Sequence, residues 1–283
     1  MKKIAFIGTG VMGAPMALHL ADAGFNVTVY NRTYSKAKIL EPKVKAFETI
    51  EETIKDADYI ITIVGYPSDV KEVYDKVIPI AKKKAILIDM TTSSPKLAVE
   101  LYALAKKNDL YMLDAPVTGG DTGAKNATLS IMVGGDENVF KIALEVFNCL
   151  GKTITYMGET GNGQNMKLAN QAAIASGLSG IAETLSFAKL KNLDLEKVLQ
   201  VITGGSANSW QASSNGRKMI DNNMNPGFYV KHFLKDLRLI LDEMGDLDLV
   251  VTKQVAKIYE YLSKHGCEDL GTQTIIKYYL KQV

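Results

Sequence analysis

The sequence predicts an α/β fold in which a parallel, doubly wound sheet forms the N-terminal part and an all-helical domain forms the rest. Two observations support this prediction. Strand-like and helical patterns alternate through residues 1–160, which is typical of parallel sheets with helical crossovers. From residue 164 the strand signal almost disappears, and 164–191 has the composition of one long helix rich in Ala, Leu and Ile. We therefore divide the 283 residues into domains at 1–163 and 164–283, joined by the long helix.

Eight short β-branched runs are the predicted strands. They lie at residues 3–7, 26–30, 44–47, 59–64, 85–89, 111–114, 129–133 and 153–156. The runs at 60–64 and 85–89 are apolar at successive positions, which indicates strands covered by helices on both faces. In the helical half, Asp194 directly precedes a helical run and is its predicted N-cap.

Composition excludes several classes of protein. Lys and Arg total 33 and Asp and Glu 31, so the net charge of +2 lacks the basic footprint of a nucleic-acid-binding protein. Cys149 and Cys267 lie far apart and form no CxxC pair, which argues against a metal site or a disulfide framework. The apolar run after Lys3 is too short for a signal peptide, and no run approaches the ~20 apolar residues that span a bilayer. We expect a cytoplasmic protein with neither a membrane nor a nucleic acid as partner.

A glycine motif lies between the first predicted strand and the first predicted helix. The segment Gly8-Thr9-Gly10-Val11-Met12-Gly13 fits G-x-G-x-x-G. In a Rossmann-type domain Gly8 allows the tight turn, Gly10 lets the backbone approach a pyrophosphate, and Gly13 lets the helix pack closely on the strand. The helix N-terminus supplies amides and partial positive charge to the phosphates. The motif predicts dinucleotide binding, and the alternative is a purely structural glycine turn.

The end of the second strand predicts which dinucleotide binds. An acidic residue is expected there when a protein binds the ribose hydroxyls of NAD, but this chain has the neutral Asn31. Arg32, Thr33 and Lys36 follow it, and a guanidinium can bind a 2′-phosphate through two hydrogen bonds. We therefore predict NADP in preference to NAD. The alternative is that Arg32 is merely a solvated loop residue.

Two later loops carry small polar residues directly after strands, where ligands bind in such folds. The first is residues 89–93, which includes Thr92. The second ends in Thr118-Gly119-Gly120, whose hydroxyl and amides can form an anion nest for a carboxylate. Each loop taken alone is also compatible with an ordinary turn.

The start of the long helix carries a candidate catalytic lysine. Lys167 lies in its first turns, and Asn170 and Gln171 follow three and four residues later on the same helix face. A lysine among apolar residues has its pKa lowered by desolvation and can then donate a proton to a carbonyl oxygen. The alternative is a solvated helix lysine.

These motifs together resemble a known enzyme family over essentially the full chain. The chain resembles the β-hydroxyacid dehydrogenases of the 3-hydroxyisobutyrate dehydrogenase family, whose relatives include tartronate, succinic and glyoxylic semialdehyde reductases. Five motifs match in order: Gly8-x-Gly10-x-Met12-Gly13-x-x-Met16-Ala17, Asp89-Met90-Thr91-Thr92, Asp114-Ala115-Pro116-Val117-Thr118-Gly119-Gly120, Gly161-x-Gly163-x-x-x-Lys167 and Phe233-Leu234-Lys235-Asp236-Leu237.

The resemblance implies a role for each motif. It implies that Lys167 is the general acid and base, that residues 118–120 hold the substrate carboxylate, and that Lys235 reaches the nicotinamide. It also implies a homo-oligomer, a dimer or a tetramer. Val64 and Thr92 complete the predicted cofactor-binding set.

Two residues depart from the family pattern. Thr118 replaces the usual Ser, which keeps the hydroxyl and adds a methyl group. Gln171 replaces a common Asn and is preceded by Asn170, a pair that resembles the tartronate semialdehyde reductase branch. Which of these two amides touches the substrate stays open at this point.

We predict an NADP-preferring oxidoreductase that interconverts a small β-hydroxy acid and its semialdehyde. The alternatives are an NAD-dependent 3-hydroxyisobutyrate dehydrogenase and a non-catalytic NADP-binding sensor. A sensor has no need of Lys167. A 6-phosphogluconate dehydrogenase normally has a much longer helical domain, and imine reductases typically lack the catalytic lysine.

Overall fold

The computed structural model describes all 283 residues and divides into two compact units, Met1–Lys167 and Leu168–Val283. The helix Asn162–Leu190 runs continuously across this boundary. The predicted division, at 163/164, lies two residues inside that helix. Each unit has its own buried core and is described separately.

The first unit is built on a nine-stranded sheet. Its strands are β1 (Lys3–Ile7), β2 (Asn26–Tyr30), β3 (Lys45–Ala46), β4 (Tyr59–Thr62), β5 (Ile86–Asp89), β6 (Tyr111–Asp114), β7 (Val117–Thr118), β8 (Leu129–Gly135) and β9 (Gly151–Tyr156). The order is β3-β2-β1-β4-β5-β6-β8-β7, and β9 also pairs with β8. The six neighbouring strands β3-β2-β1-β4-β5-β6 are all parallel, which confirms the predicted doubly wound α/β fold.

Two details of the sheet differ from the predicted strands. Strand β8 runs antiparallel to β6 and β7, and it extends through Gly134 and Gly135, which have low strand propensity. The two-residue strand β7 follows Pro116 and is too short to leave a periodic pattern in the sequence. Both features are produced by pairing with distant strands and not by local propensity.

Helices cover both faces of this sheet. The helices of the unit are α1 (Gly13–Asp22), α2 (Tyr34–Lys38), α3 (Ile50–Ile54), α4 (Pro67–Val77), α5 (Pro95–Lys107), α6 (Gly120–Lys125) and α7 (Glu137–Phe147), followed by the start of α8 (Asn162–Leu190). Ile4 and Phe6 of β1 pack in one apolar cluster with α1 and α7, whereas Ala5 and Ile7 pack in a second cluster with α3, α4 and α5. This alternation is the two-residue period of a strand buried on both faces.

The register brings the carboxyl ends of the parallel strands to one edge of the sheet. Ile7 lies beside both Tyr30 and Thr62, Thr62 lies beside Asp89, and Asp89 lies beside Asp114. The loops that follow β1, β2, β4, β5 and β6 therefore emerge at this edge, where ligands bind in doubly wound folds.

The second unit is helical, as predicted. Besides the rest of α8 it contains α9 (Leu195–Gly204), a π-helix (Gln211–Gly216), α10 (Arg217–Ile220), α11 (Val230–Glu243), α12 (Val250–Lys264), a short 3-10 helix (Thr272–Thr274) and α13 (Ile275–Tyr279). Phe233 and Tyr259 join α11 to α12 edge-to-face with ring centroids 4.9 Å apart. The predicted cap of α9 is confirmed, because Asp194 Oδ1 accepts hydrogen bonds from the amides of Glu196 (3.0 Å) and Lys197 (3.4 Å). None of the helices is long and apolar enough to cross a membrane.

Candidate functional site

The loop between β1 and α1 is shaped by its three glycines. Gly8 has φ +102°, and a Cβ there would overlap the carbonyl oxygen of Ile63. A Cβ at Gly13 would overlap the carbonyl oxygen of Gly8 and touch Phe6. Gly10 has nothing within 4 Å of a Cβ position, and its backbone is exposed. Gly8 and Gly13 are thus needed for the turn and the packing, whereas Gly10 leaves an open face.

The same loop has the features that a dinucleotide phosphate needs. Thr9 is buried, and its hydroxyl has no hydrogen-bond partner within the protein. A buried hydroxyl without a partner is uncommon, because leaving it unpaired costs about 1–3 kcal/mol. Together with the open face at Gly10 and the start of α1, this hydroxyl fits a pyrophosphate-bearing cofactor.

The end of β2 is tied to the glycine loop by Asn31. Its Oδ1 accepts a hydrogen bond from the Thr9 amide (3.0 Å), and its Nδ2 donates to the carbonyl oxygen of Thr33 (3.0 Å). The Arg32 side chain is 84% exposed, and its Nη1 lies 3.3 Å from Asp69 Oδ1. Lys36 is exposed on α2. Asn31 therefore joins the end of β2 to the glycine loop, whereas the guanidinium of Arg32 lies at the surface.

The loop after β5 is fixed by a buried carboxylate. Asp89 Oδ1 accepts hydrogen bonds from the Thr62 hydroxyl (2.9 Å) and from the Thr91 amide (3.0 Å). Burial raises the pKa of Asp89 to about 6, although these hydrogen bonds act in the opposite direction. The Val64 amide donates to the Thr91 hydroxyl (3.0 Å) and so joins the β4 loop to the β5 loop. The predicted cofactor residues Val64 and Thr92 lie on these two joined loops.

The predicted carboxylate-binding loop has an unusual backbone. Thr118 ends β7, and Gly119 and Gly120 follow with φ of +128° and +63°. Residues with a side chain very rarely adopt a φ near +128°, so glycine is required at position 119. The angle at Gly120 is also adopted in this chain by Lys84, with φ +65°. Helix α6 then begins, and its far end is held by His19 of α1, whose Nε2 lies 2.9 Å from the carbonyl oxygen of Lys125.

The start of α8 is capped by a carboxylate from the sheet. Asp114 is buried at the end of β6. Its Oδ1 accepts from the Gly161 amide (2.8 Å) and its Oδ2 from the Gln164 amide (2.9 Å), which satisfies amides that a helix start leaves without partners. Burial raises the pKa of Asp114, against the effect of these hydrogen bonds. A Cβ on Gly163 would lie 2.5 Å from the Asp114 carbonyl oxygen, and one on Gly134 would lie 2.7 Å from Asp114 Oδ1.

Lys167 lies one turn beyond this cap and is 6% exposed. Gln164, between the cap and Lys167, is fully buried. Its Nε2 donates to the carbonyl oxygen of Thr91 (2.8 Å), and its Oε1 accepts from the Ser93 amide (2.9 Å). Sequence reasoning missed Asp114 and Gln164 as site residues. The available signal was their place inside two of the five motifs.

In the second unit, four polar residues form one cluster. Gln171 is buried, its Nε2 donates to Asp236 Oδ2 (2.6 Å), and its Oε1 accepts from Asn170 Nδ2 (3.3 Å). Lys235 Nζ lies 3.0 Å from Asp236 Oδ1, and the Asp236 side chain is fully buried. The cluster brings together three predicted site residues, Asn170, Gln171 and Lys235, and adds Asp236, whose role the sequence did not reveal.

Comparison with known proteins gives matches over nearly the whole chain. Residues 3–158 match the family model described as the NAD binding domain of 6-phosphogluconate dehydrogenase. Residues 161–279 match the family model described as NAD-binding of NADP-dependent 3-hydroxyisobutyrate dehydrogenase. The two models meet at the start of α8.

Individual relatives agree with these models. An uncharacterized oxidoreductase of Bacillus subtilis is 46% identical, with 99% of each chain covered. The 2-hydroxy-3-oxopropionate reductase of Escherichia coli is 37% identical, with 97% of this chain and 96% of that protein covered. The structure of Mycobacterium tuberculosis 3-hydroxyisobutyrate dehydrogenase with L-serine superposes with a TM-score of 0.90 at 32% identity and covers 98% of this chain and 99% of that one.

A dinucleotide-binding α/β unit followed by a helical unit with these matches defines an NAD(P)-dependent oxidoreductase that acts on hydroxy acids. More narrowly, the chain belongs to the 3-hydroxyisobutyrate dehydrogenase family of β-hydroxyacid dehydrogenases. The predicted family, fold class and enzyme class are confirmed. A non-catalytic sensor is not supported.

Proposed function

We propose that the protein is an NADP-preferring enzyme that interconverts a small β-hydroxy acid and its semialdehyde, with Lys167 as general acid and base. The observation that carries this proposal is the burial of Lys167 one turn after a helix start that Asp114 caps and Gln164 fixes. A buried amine held on a rigid element suits proton transfer to one defined oxygen.

Each residue has a role in the reduction direction. The Thr118 hydroxyl and the Gly119 and Gly120 amides hold the substrate carboxylate. The bound dinucleotide supplies the hydride. Lys167 Nζ gives a proton to the carbonyl oxygen, and in the oxidation direction it takes that proton back.

The two amides after Lys167 have different surroundings. The side chain of Gln171 is buried and engaged at both ends, by Asp236 and by Asn170. Asn170 is half-buried. We therefore assign Asn170 to the substrate oxygen and Gln171 to the support of Asn170. The cofactor role of Lys235 stays a prediction.

The preference for NADP rests on the end of β2. A carboxylate at position 31 would repel a 2′-phosphate, but Asn31 is neutral and its amide is occupied within the protein. The nearby guanidinium of Arg32 is exposed, and exposed ion pairs are worth about 0–1 kcal/mol. Arg32 can therefore leave Asp69 to bind a 2′-phosphate.

The names of two relatives support the substrate class. The Escherichia coli relative is named for 2-hydroxy-3-oxopropionate, a small carboxylate with an aldehyde. The Mycobacterium tuberculosis structure is named as a complex with L-serine, a β-hydroxy acid. Both molecules pair a carboxylate with an oxygen on the β-carbon, which suits residues 118–120 and Lys167. An NAD-dependent 3-hydroxyisobutyrate dehydrogenase is the second candidate.

A homo-oligomer, a dimer or a tetramer, belongs to the same proposal. Helix α8 exposes small residues at Ala173, Ser176 and Gly180, followed by Phe187 and Leu190. Small residues let two helices approach closely, and large exposed apolar side chains favour a covered surface. Light scattering of the purified protein measures the mass directly, and a monomer at micromolar concentration contradicts this part.

The experiment that tests the proposal compares initial rates with NADPH and NADH on glyoxylate and on succinic, methylmalonic and tartronic semialdehydes. Lys167→Ala is expected to lower kcat by about 10²–10⁴-fold on the best substrate. Lys189→Ala, at an exposed lysine on the same helix, is the matched control and should leave kcat unchanged. A Lys167→Ala enzyme within a few-fold of the parent contradicts the assignment.

A further inference from the structure

Gln164 connects three segments of the first unit. Its backbone amide donates to Asp114 Oδ2 at the end of β6. Both polar atoms of its side chain bind the loop after β5. Nε2 donates to the Thr91 carbonyl oxygen at 2.8 Å, and Oε1 accepts from the Ser93 amide at 2.9 Å. The residue itself lies in the first turn of α8 and is fully buried.

The loop that Gln164 holds is already fixed on its other side. The Thr91 amide donates to Asp89, and the Thr91 hydroxyl accepts from the Val64 amide. Thr92, a predicted cofactor residue, lies between the two residues whose backbones bind the Gln164 side chain. A change in the length or polarity of that side chain therefore acts on the loop that presents Thr92.

The same side chain also ties the start of α8 to the loop after β5. Lys167 follows Gln164 by three residues, which is about 4.5 Å along a helix axis. A shift of the first turn is carried to Lys167, because the helix is continuous there. Thr92 and Lys167 are separated by 70 or more residues along the chain. The hydrogen bonds of the Gln164 side chain join their two segments directly.

We propose that Gln164 is a positioning residue whose side-chain amide sets the distance between the β5 loop, which carries the predicted cofactor residue Thr92, and the helical turn that carries Lys167. This inference rests on the proposed role of Lys167. An amide suits the task because it holds a donor NH2 group and an acceptor oxygen in one plane, and these match the carbonyl of Thr91 and the amide of Ser93.

The first test replaces the amide with a chain of similar length that cannot make these hydrogen bonds. Gln164→Met is expected to lower kcat by about 10- to 100-fold, because a displacement of about 1 Å costs up to 10²-fold. The dissociation constant of NADPH, measured by its fluorescence, should change by a smaller factor than kcat, since the glycine loop and Arg32 are untouched and only the loop that presents Thr92 shifts. Gln200→Met, at an exposed glutamine of α9, is the control.

The second test keeps the shape and makes the hydrogen bonding depend on protonation. In Gln164→Glu the neutral carboxylic acid can donate to Thr91 and accept from Ser93, whereas the ionised form can only accept and faces the Thr91 carbonyl oxygen. Asp89, Asp114 and Lys167 are the titratable groups around this position, and the parent carries all three. The measured quantity is therefore the ratio of variant to parent kcat at each pH.

A positioning role predicts a specific pH profile. The Gln164→Glu ratio should be highest near pH 6 and fall by about tenfold or more toward pH 9 as the new carboxyl ionises. The Gln164→Met ratio should be low and independent of pH. If Gln164 only stabilised the fold, both substitutions would lower the melting temperature and the cofactor affinity, and the two kcat ratios would not differ in their dependence on pH.

The outcomes separate the inference from the proposed function. If Lys167→Ala abolishes turnover and Gln164→Met keeps the parental kcat, the positioning role is wrong and the proposed function stands. If Lys167→Ala keeps the parental kcat, the proposed function is wrong. If Gln164→Met fails to fold, the Gln164→Glu profile decides, and a ratio that does not change with pH overturns the inference.

Discussion

Nη1 of Arg32 lies 3.3 Å from Oδ1 of Asp69, which is in the first turn of α4. The guanidinium that we propose binds the 2′-phosphate of NADP therefore already forms an ion pair with a carboxylate. The two residues are 37 positions apart: Arg32 lies in the loop after β2, and Asp69 lies in helix α4. Under the proposed function, the preference between NADP and NAD depends on these two residues of opposite charge. Arg32 attracts a phosphate, and Asp69 competes with it.

Replacing Asp69 should strengthen the binding of NADPH. In Asp69→Asn the competing charge is lost, and we expect the dissociation constant of NADPH to fall about 3- to 10-fold, with that of NADH unchanged. The asparagine oxygen can still accept from the Tyr66 amide, as Asp69 Oδ2 does at 3.0 Å, so α4 keeps its cap. Fluorescence titration of both cofactors measures the change. Asp75→Asn on the same helix is the control, and equal changes for the two cofactors would contradict the prediction.

Removing the guanidinium should have the opposite effect. Arg32→Ala is expected to weaken NADPH about tenfold or more and to leave NADH within about twofold, because only NADPH carries the 2′-phosphate. The effect on NADPH should shrink at high salt, since the site is exposed. If the parent enzyme prefers NADH by tenfold or more, the argument from Arg32 is wrong.

Two glycines of the cofactor loop should respond differently to alanine. Gly13→Ala places a methyl group onto the Gly8 carbonyl oxygen and should destabilise the fold by about 1–3 kcal/mol or more. Gly10→Ala meets nothing within 4 Å and should leave the melting temperature within about 2 °C of the parent while weakening both dinucleotides. Thermal unfolding and fluorescence titration separate the two effects. If Gly10→Ala lowered the stability and Gly13→Ala did not, the roles assigned to these two glycines would be wrong.

Asp89 should make stability depend on pH. Its pKa of about 6 in the folded protein is higher than the ordinary value of 3.8, so the folded state binds the proton more tightly. The corresponding contribution to the free energy of unfolding, about 3 kcal/mol, is present below pH 4 and is lost as the pH rises through 6. Asp89→Asn cannot ionise. Its stability relative to the parent should therefore increase from pH 4 to pH 7 in urea unfolding, and a constant difference would show that Asp89 does not titrate in this range.

Local patterns were sufficient to predict much of the fold. Residues 59–61 of β4 and 86–88 of β5 are buried and apolar. Gly8 to Gly13 stand at a strand–helix junction, and Asp194 precedes α9. Each of these signals is contained within a few residues of sequence, and each was recovered in the structure.

The contacts that complete the site could not be predicted in this way. Gln164 and Ser93 are 71 residues apart, and Gln171 and Asp236 are 65 apart. Which buried amide meets which backbone group depends on the three-dimensional packing of strands and helices. The antiparallel pairing of β8 has the same origin, because it joins β8 to β6 and β7, which lie elsewhere in the chain.

The tight fit around Asp114 limits where the enzyme can acquire new substrates. A side chain on Gly134 of β8 or on Gly163 of α8 would collide with this carboxylate or with the adjoining backbone, so neither position accepts a larger residue. If Thr118 and Asn170 bind the substrate as proposed, variation in substrate range should accumulate at these two residues, which are only half-buried. Libraries for altered specificity are best built at those two positions, with the helix start left unchanged.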